Sequence, residues 1–581
     1  MPTIENLDEK ALRKAFKRLK NDTRHFERLL VRDPTDFVDF QVQLAQQLQG
    51  LKHDVEAGTY TPQKPTIHPY PKSKGINRPT VVFDVRDALV YRFCIEQIDA
   101  ELVAATRRNP NIRGGVKISP NVDPSDDGYY EKFFSDWLDH NDAIREGLEA
   151  RPFAASTDIA SYFEGINVSL LIDFVRSTVT GKPGVVTLLD FFLRNWKVQY
   201  DYGANVETGI PQEDIDCSRT LAYFYLHPHD DRLVQFTLEH DGELFRFADD
   251  ITILVESASM GRRAPKAVTE SLRELGLVAS IEKTEILASS TVIEELMYAE
   301  NSRLNELAEP ITASAKGDRP DADATAALVA VYAEWRDGAQ GRMKNWRKLL
   351  GRFYTLASLA RAPFLVDDLG SHIVEFPAVV HDKFAKYVVR LQEDAPRESA
   401  IRAAFDYLDS EENLYASLES ALLEATLYLN AASISDETRG ALGTTARGLA
   451  LGTRPSLSAY ARALGALMCF RFCPDAVDEI ADAYLRTPEP NGLLRKYQTY
   501  VALTSDDAER RAKVLARARS DQDSSTNRLV ALVENLTSAK NSSAVKAYFK
   551  RNRLYYVGAE ASEEYAPVRH DVLRKLITIY G

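Results

Sequence analysis

The stretch Phe245–Val255, FRFADDITILV, constrains this chain more than any other. Two apolar, β-branched runs are interrupted by Ala-Asp-Asp, which predicts a tight hairpin with two carboxylates at its turn. Paired aspartates alone prove little, since they also occur at Asp126-Asp127, Asp230-Asp231, Asp367-Asp368 and Asp506-Asp507. Only Asp249-Asp250 is flanked on both sides by strand-like sequence. A solvated turn is the bland alternative, and a partner is needed to choose between them.

The partner lies upstream in RPFAASTDIASYFEGI, where an extended run ends in Asp158 and the aromatic pair Tyr162-Phe163 follows. Two strands that bring carboxylates to one sheet edge can hold two divalent cations about 3.5–4 Å apart, an arrangement that activates a hydroxyl and stabilises a leaving pyrophosphate. Magnesium suits oxygen ligands completed by water and phosphate, with manganese able to substitute.

A chain of 581 residues exceeds one ordinary core, so two or more domains are expected. The amino terminus lacks an apolar signal core and no run approaches a membrane span, which predicts a cytoplasmic protein without membrane contact. Four cysteines give no disulfide framework, and Cys469 with Cys473 read as core residues. The net charge of −13 argues against a nucleic-acid partner. Its distribution argues otherwise: residues 1–117 are net basic, 118–300 carry the acid, and the remainder is balanced.

Taken in order, residues 8–48 read as helical, with Lys10, Arg13, Lys14, Lys17 and Arg18 opposite Leu12, Phe16 and Leu19. That basic face is either a phosphate contact or a solvated surface. Thr61–Thr80 reads as extended chain closing at KSKGIN, with Lys72, Lys74 and Arg78 around the turn. An amphipathic helix, VRDALVYRFCIEQI, follows. RRNPNIRGGVK is a basic loop in which Arg113 and Lys117 are candidates for nucleic-acid contact, and 123–150 reads as an acidic peripheral insertion. Gly209-Ile-Pro211-Gln212 enters a helix near Asp214. His227 and His229 read as a helix end rather than metal ligands.

The order of these segments resembles the fingers and palm of reverse transcriptases, particularly the prokaryotic ones, over about residues 60–300. KSKGINRPTVVFDVRDALV resembles the fingers block, DIASYF motif A, GIPQEDIDCSRTLAYFYL motif B, FADD motif C and LGLVASIEKT motif D. The resemblance implies a DNA polymerase acting on dNTPs, with RNA or single-stranded DNA as partner. It implies Asp158, Asp249 and Asp250 as the metal cluster, Lys72, Lys74 and Arg78 on the triphosphate, and Gly209, Pro211 and Gln212 lining the nucleotide pocket. It also implies Phe163 as the ring excluding a ribose hydroxyl and Lys283 as proton donor to pyrophosphate. Glu213 departs from the family pattern, which has Gly there. Its carboxylate either repels a template backbone or caps the following helix.

Beyond a linker at 306–322, residues 323–581 read as almost wholly helical, a helical-repeat, solenoid-like domain. The expected organisation is therefore a basic helical segment at 1–60, an α+β right-hand polymerase palm and fingers at 61–305, the linker, and the all-α domain. This layout resembles the abortive-infection and other defence-associated reverse transcriptases. That resemblance implies phage defence, homo-oligomers and, in some members, protein-primed synthesis, with Tyr60, Tyr70, Tyr556 and Tyr580 as priming candidates. Arg342, Lys344, Trp346, Arg347, Lys348 and Arg352 form a basic-aromatic cluster where RNA could lie, or else a solvated face.

Overall fold

The computed structural model describes residues 4, 7–21, 31–106, 109–115, 133–197, 207–315, 320–343, 345–487, 489–521, 523–557 and 567–581. It divides into two compact units. One comprises Met1–Leu29, Ala45–Ile67 and Thr80–Tyr298; the other comprises Leu30–Leu44, His68–Pro79 and Ala299–Gly581.

The strands in chain order are β1 (Thr66–Ser73), β2 (Ile76–Val82), β3 (Ile112–Arg113), β4 (Phe153–Asp158), β5 (Glu243–Phe247), β6 (Asp250–Val255) and β7 (Glu285–Ala288). β1 and β2 pair alone, and the others form a five-stranded sheet in the order β3-β5-β6-β4-β7. β4 runs antiparallel to both β6 and β7, whereas β3 runs parallel to β5. The apolar run predicted to be a hairpin is β5–β6, joined by the two residues Ala248 and Asp249.

Side chains alternate across this sheet. Phe245, Leu254 and Ala154 share one face and form a core with Ile144 and Leu148 of helix Phe133–Ala150. Residues 133–150 are thus part of the core, against the expectation of a peripheral insertion. Their carboxylates hid the Ile144 and Leu148 spacing. Helix Ala258–Glu274 covers β4 and β6, and helix His227–Glu239 packs on β5.

Helix Val85–Thr106 is buried nearly all round rather than amphipathic. Its Arg92 survives inside because Glu96 takes its Nε at 2.7 Å and the Ile215 carbonyl takes Nη1 at 2.8 Å. Helix Glu9–Asn21 buries Leu12, Phe16 and Leu19 and exposes Lys10, Arg13, Lys14 and Lys17, while Arg18 turns inward to Glu96 at 2.9 Å. The helix expected over 8–48 is interrupted: residues 31–37 are bends and turns, and helix resumes at Val38–Val42 and Leu44–Glu56.

In the second unit, helices Trp346–Ala360, Pro377–Arg390, Ala416–Thr426, Ala459–Phe472, Gly492–Ala502 and Ser524–Glu534 pack successively on one another. Helices Asp436–Leu451, Ala476–Arg486 and Ala508–Arg519 do the same beside them. Each helix therefore contacts the next but one in sequence. The expected linker is not extended chain at its start, because helix Tyr298–Ser314 runs into it. All four cysteines are free, with Cys469 buried and Cys473 partly so.

Residues 31–40 are threaded into this unit almost wholly buried. Lys496, 1% exposed, donates to Asp33 at 2.6 Å and Asp39 at 2.7 Å, and Arg32 donates to the Tyr428 hydroxyl at 2.7 Å. No described helix is long and apolar enough to cross a membrane.

Candidate active site

Asp158 ends β4 and stands opposite Asp250, the first residue of β6, in the antiparallel register. Directly opposed residues project from the same face, so the ladder itself gathers these two carboxylates. Asp249 is supplied by the turn, where Ala248 adopts φ +56°. A positive φ at the first of two turn residues is the backbone choice that matches hairpin twist, and a non-glycine residue holds it at some cost. The Asp249 carbonyl accepts the Ile159 amide at 3.3 Å, tying the turn to the end of β4.

Burial first, then the charges of Asp158 and Asp250, push Asp249 up to about 7. Asp158 is buried and Asp250 exposed. The Lys283 ammonium is paired with Asp158, and the Ser280 amide donates to the Asp158 carbonyl at 2.7 Å. The segment read as motif D therefore does arrive at the aspartates.

The Gly209–Gln212 turn is stitched to the same loop. Gly209 donates to the Ile166 carbonyl at 2.7 Å and Ile210 to the Phe163 carbonyl at 3.0 Å. Gln212 Nε2 donates to Glu164 at 2.8 Å, and the Gln212 carbonyl accepts the Val81 amide at 2.7 Å. Gly209 has φ +87°, and a Cβ there would stand 2.7 Å from Lys197 Nζ and 3.2 Å from the Glu164 carbonyl. Pro211 is buried. Phe163 is half-buried, its ring edge-on to Tyr162 at 5.6 Å.

Glu213 caps. Its carboxylate accepts the amides of Ile215 and, at 2.6 Å, Ser218, at the start of helix Cys217–Tyr225. Burial pushes it up to about 7 despite those donors. Of the two sequence alternatives, the helix cap is the arrangement observed.

Other candidate residues are placed differently. Arg113 is engaged by Asp136 at 3.7 Å and Asp139 at 3.3 Å, and its loop is a buttress: a Cβ on Gly114 would stand 2.6 Å from the Ala248 nitrogen. Lys117 and Lys344 lie outside the described residues. Lys72, Lys74 and Arg78 are exposed on the β1–β2 hairpin, whose residues 68–79 belong to the helical unit. Within that unit the Gly75 amide donates to the Tyr415 hydroxyl at 2.8 Å and Tyr70 donates to Asp382 at 2.9 Å.

Trp346 corrects an expectation. It is 5% exposed, packed with Tyr332 and Phe353, so its ring is not open to a base. Arg342, Arg347 and Lys348 are exposed. Among the priming candidates, Tyr60 is buried and bonded to Asp87 at 2.7 Å, which leaves its hydroxyl no route to a nucleotide. The side chain of Tyr556 lies outside the described residues. Tyr580 is half-buried.

Among the described residues, no three His, Cys, Asp or Glu side chains already stand close enough to hold a metal ion. The trio is two carboxylates in register at one strand end with a third in the turn beside them. Its donor chemistry nonetheless fits a hard divalent cation: the ligands are all oxygen, and their mutual repulsion, visible in the elevation of Asp249, is what a cation relieves.

The residues that sequence reasoning missed stand behind the turn. Arg246, fully buried on β5, makes a two-pronged ion pair with Asp230. An arginine between Phe245 and Phe247 in a strand with no solvent face was the available signal, because such a residue demands a buried acid.

No family model matches the chain, and no curated protein matches it. Among solved structures it is similar to apo telomerase from Candida tropicalis, at 11% identity and a TM-score of 0.29, over 63% of this chain and 61% of that one. The chain thus spans less than two thirds of that structure, and a likeness so loose bears on neither fold nor activity.

Proposed function

We propose that this chain is a metal-dependent nucleotidyltransferase of the reverse-transcriptase type, extending DNA from dNTPs. One observation carries the reading: Asp158 and Asp250 stand opposite each other in register at the shared end of two adjacent antiparallel strands, with Asp249 in the turn beside them and within reach of both charges. Like charges gathered at one strand end are costly, and chains keep such groups where they have work to do.

Asp158, Asp249 and Asp250 would hold magnesium, or manganese, which supplies charge neutralisation at the phosphates and a more acidic primer hydroxyl. The exposed Lys283 ammonium leaves Asp158 at small cost, and it would then protonate the departing pyrophosphate. Gly209, Pro211 and Gln212 form a rigid floor beside Phe163, whose half-buried ring would close against the sugar and reject a ribose hydroxyl. Lys72, Lys74 and Arg78 remain candidates for the triphosphate.

The finer reading is antiviral, abortive-infection defence by a homo-oligomer that synthesises DNA on a dedicated RNA, or without template from a protein hydroxyl. The order of motifs followed by a large helical unit supports it. The Lys283–Asp158 ion pair favours a second reading, a nucleic-acid-binding scaffold whose palm does not polymerise, since the ammonium itself offsets one carboxylate. Incubating the wild-type protein with magnesium and dNTPs, with and without added RNA, separates the two. New product on a denaturing gel supports the polymerase, and its absence under every metal and template condition supports the scaffold.

A further inference from the structure

The hairpin that carries Asp249 is not held by its ladder alone. The last ladder pair is Phe247 with Asp250, so the Ala248 carbonyl, in the peptide leading directly into Asp249, lies beyond it. That carbonyl accepts a hydrogen bond from Arg246 Nη1 at 2.7 Å. The guanidinium is itself fixed: Nε and Nη2 donate to the two carboxylate oxygens of Asp230 at 2.7 and 2.6 Å, and its plane lies 4.8 Å from the Tyr223 ring centre. A planar guanidinium gripped at two nitrogens presents its third in a set direction.

Strand alternation puts this assembly on the far side of the sheet from Asp158 and Asp250. Asp158, Asp250 and Phe247 occupy one face; Arg246 and its partner Ile251 occupy the other. Arg246 is fully buried and Asp230 nearly so. A salt bridge so buried is weak evidence for stability in its own right. What it delivers is one bond to a strained turn.

We infer that Arg246 and Asp230 are positioning residues, a brace behind the sheet that fixes the Ala248–Asp249 peptide and thereby sets how tightly Asp249 and Asp158 together bind a divalent cation. The inference rests on the metal-dependent reading of the site. Groups that orient first-sphere ligands typically contribute on the order of 10–100-fold in metal affinity. A brace differs from mere core packing because it acts on the cation and the chemical step while leaving dNTP binding alone.

The test uses the full-length protein. Mn2+ binding is followed by electron paramagnetic resonance, kcat and dNTP KM are measured from dNTP incorporation, and circular dichroism melts check folding. Arg246→Met is expected to stay helical, bind Mn2+ on the order of 10–100-fold more weakly and lose kcat with KM unchanged. Arg246→Lys, which keeps the charge but not the fork, should fall between. If Arg246→Met fails to fold, Asp230→Asn is read instead, because it leaves Arg246 and its bond to Ala248 while loosening the grip; it should show a smaller shift of the same sign. A folded variant with wild-type Mn2+ affinity and kcat overturns the brace alone. A wild-type protein that neither binds Mn2+ nor incorporates dNTPs overturns the metal-dependent reading, and the brace with it.

Discussion

Asp158 stands opposite Asp250 in the β4–β6 register, which brings both carboxylates to one edge of the sheet. With Asp249 in the turn beside them, these carboxylates repel one another unless a proton or a cation sits among them. Magnesium should therefore stabilise the folded protein, by about 2.7 kcal/mol at one hundred times its dissociation constant. Thermal melts with EDTA and with magnesium should differ for the wild type and coincide for Asp249→Asn. Equal melting of the wild type in both buffers would tell against a metal site.

The cap made by Glu213 has a pH signature. Its folded-state value of about 7 lies above its ordinary 4.5, so between those values the folded chain keeps a proton that the unfolded chain has lost. Stability from this group accordingly falls as pH rises across that window and stays low above it. Glu213→Gln removes the effect, so the melting difference between variant and wild type should shift in the variant's favour from pH 5 to pH 8. A difference independent of pH would mean that the carboxyl titrates normally.

Gly209 is required on two grounds, its φ of +87° and the Glu164 carbonyl and Lys197 ammonium that a Cβ would crowd. Gly209→Ala should cost roughly 1–2 kcal/mol. Because the turn is bonded to Phe163 and Ile166, the larger effect should be a raised KM for dNTPs, read in steady-state incorporation. An unchanged KM would remove this turn from the nucleotide site.

Lys496 serves two buried carboxylates, Asp33 and Asp39, and its removal takes the ammonium from both, leaving Asp39 with Arg528 at 3.7 Å. Lys496→Met should destabilise that unit by about 3–5 kcal/mol, measured by urea unfolding of the full chain. A double variant, Lys496→Met with Asp39→Asn, should recover part of the loss. No recovery would mean that the cluster is not coupled in this way.

Local pattern made much of the sheet-bearing unit readable. The alternation of Phe245–Val255 gave β5, β6 and the turn between them, and the extended run ending at Asp158 gave β4, so that the sheet edge holding three aspartates followed from sequence alone. What could not be read depended on contacts far apart along the chain. Trp346 sits among lysines and arginines in sequence, yet its ring packs on Tyr332 and Phe353. Asp230 stood among several aspartate pairs with nothing to single it out until Arg246 was placed against it. The hairpin at 68–79 carried a basic tip in sequence, but only the fold reveals Tyr70 and Gly75 bonded to Asp382 and Tyr415 of the helical unit. Helix Phe133–Ala150 was disguised by its acidic surface.

The central claim is that Asp158 and Asp249 carry metal-dependent nucleotidyl transfer. Its most direct test is incorporation of radiolabelled dNTPs in magnesium by the wild type, Asp158→Ala and Asp249→Ala, each checked for native helicity. The account predicts labelled product from the wild type and a loss of several orders of magnitude in both variants. Equal incorporation by folded Asp158→Ala and wild type would contradict it.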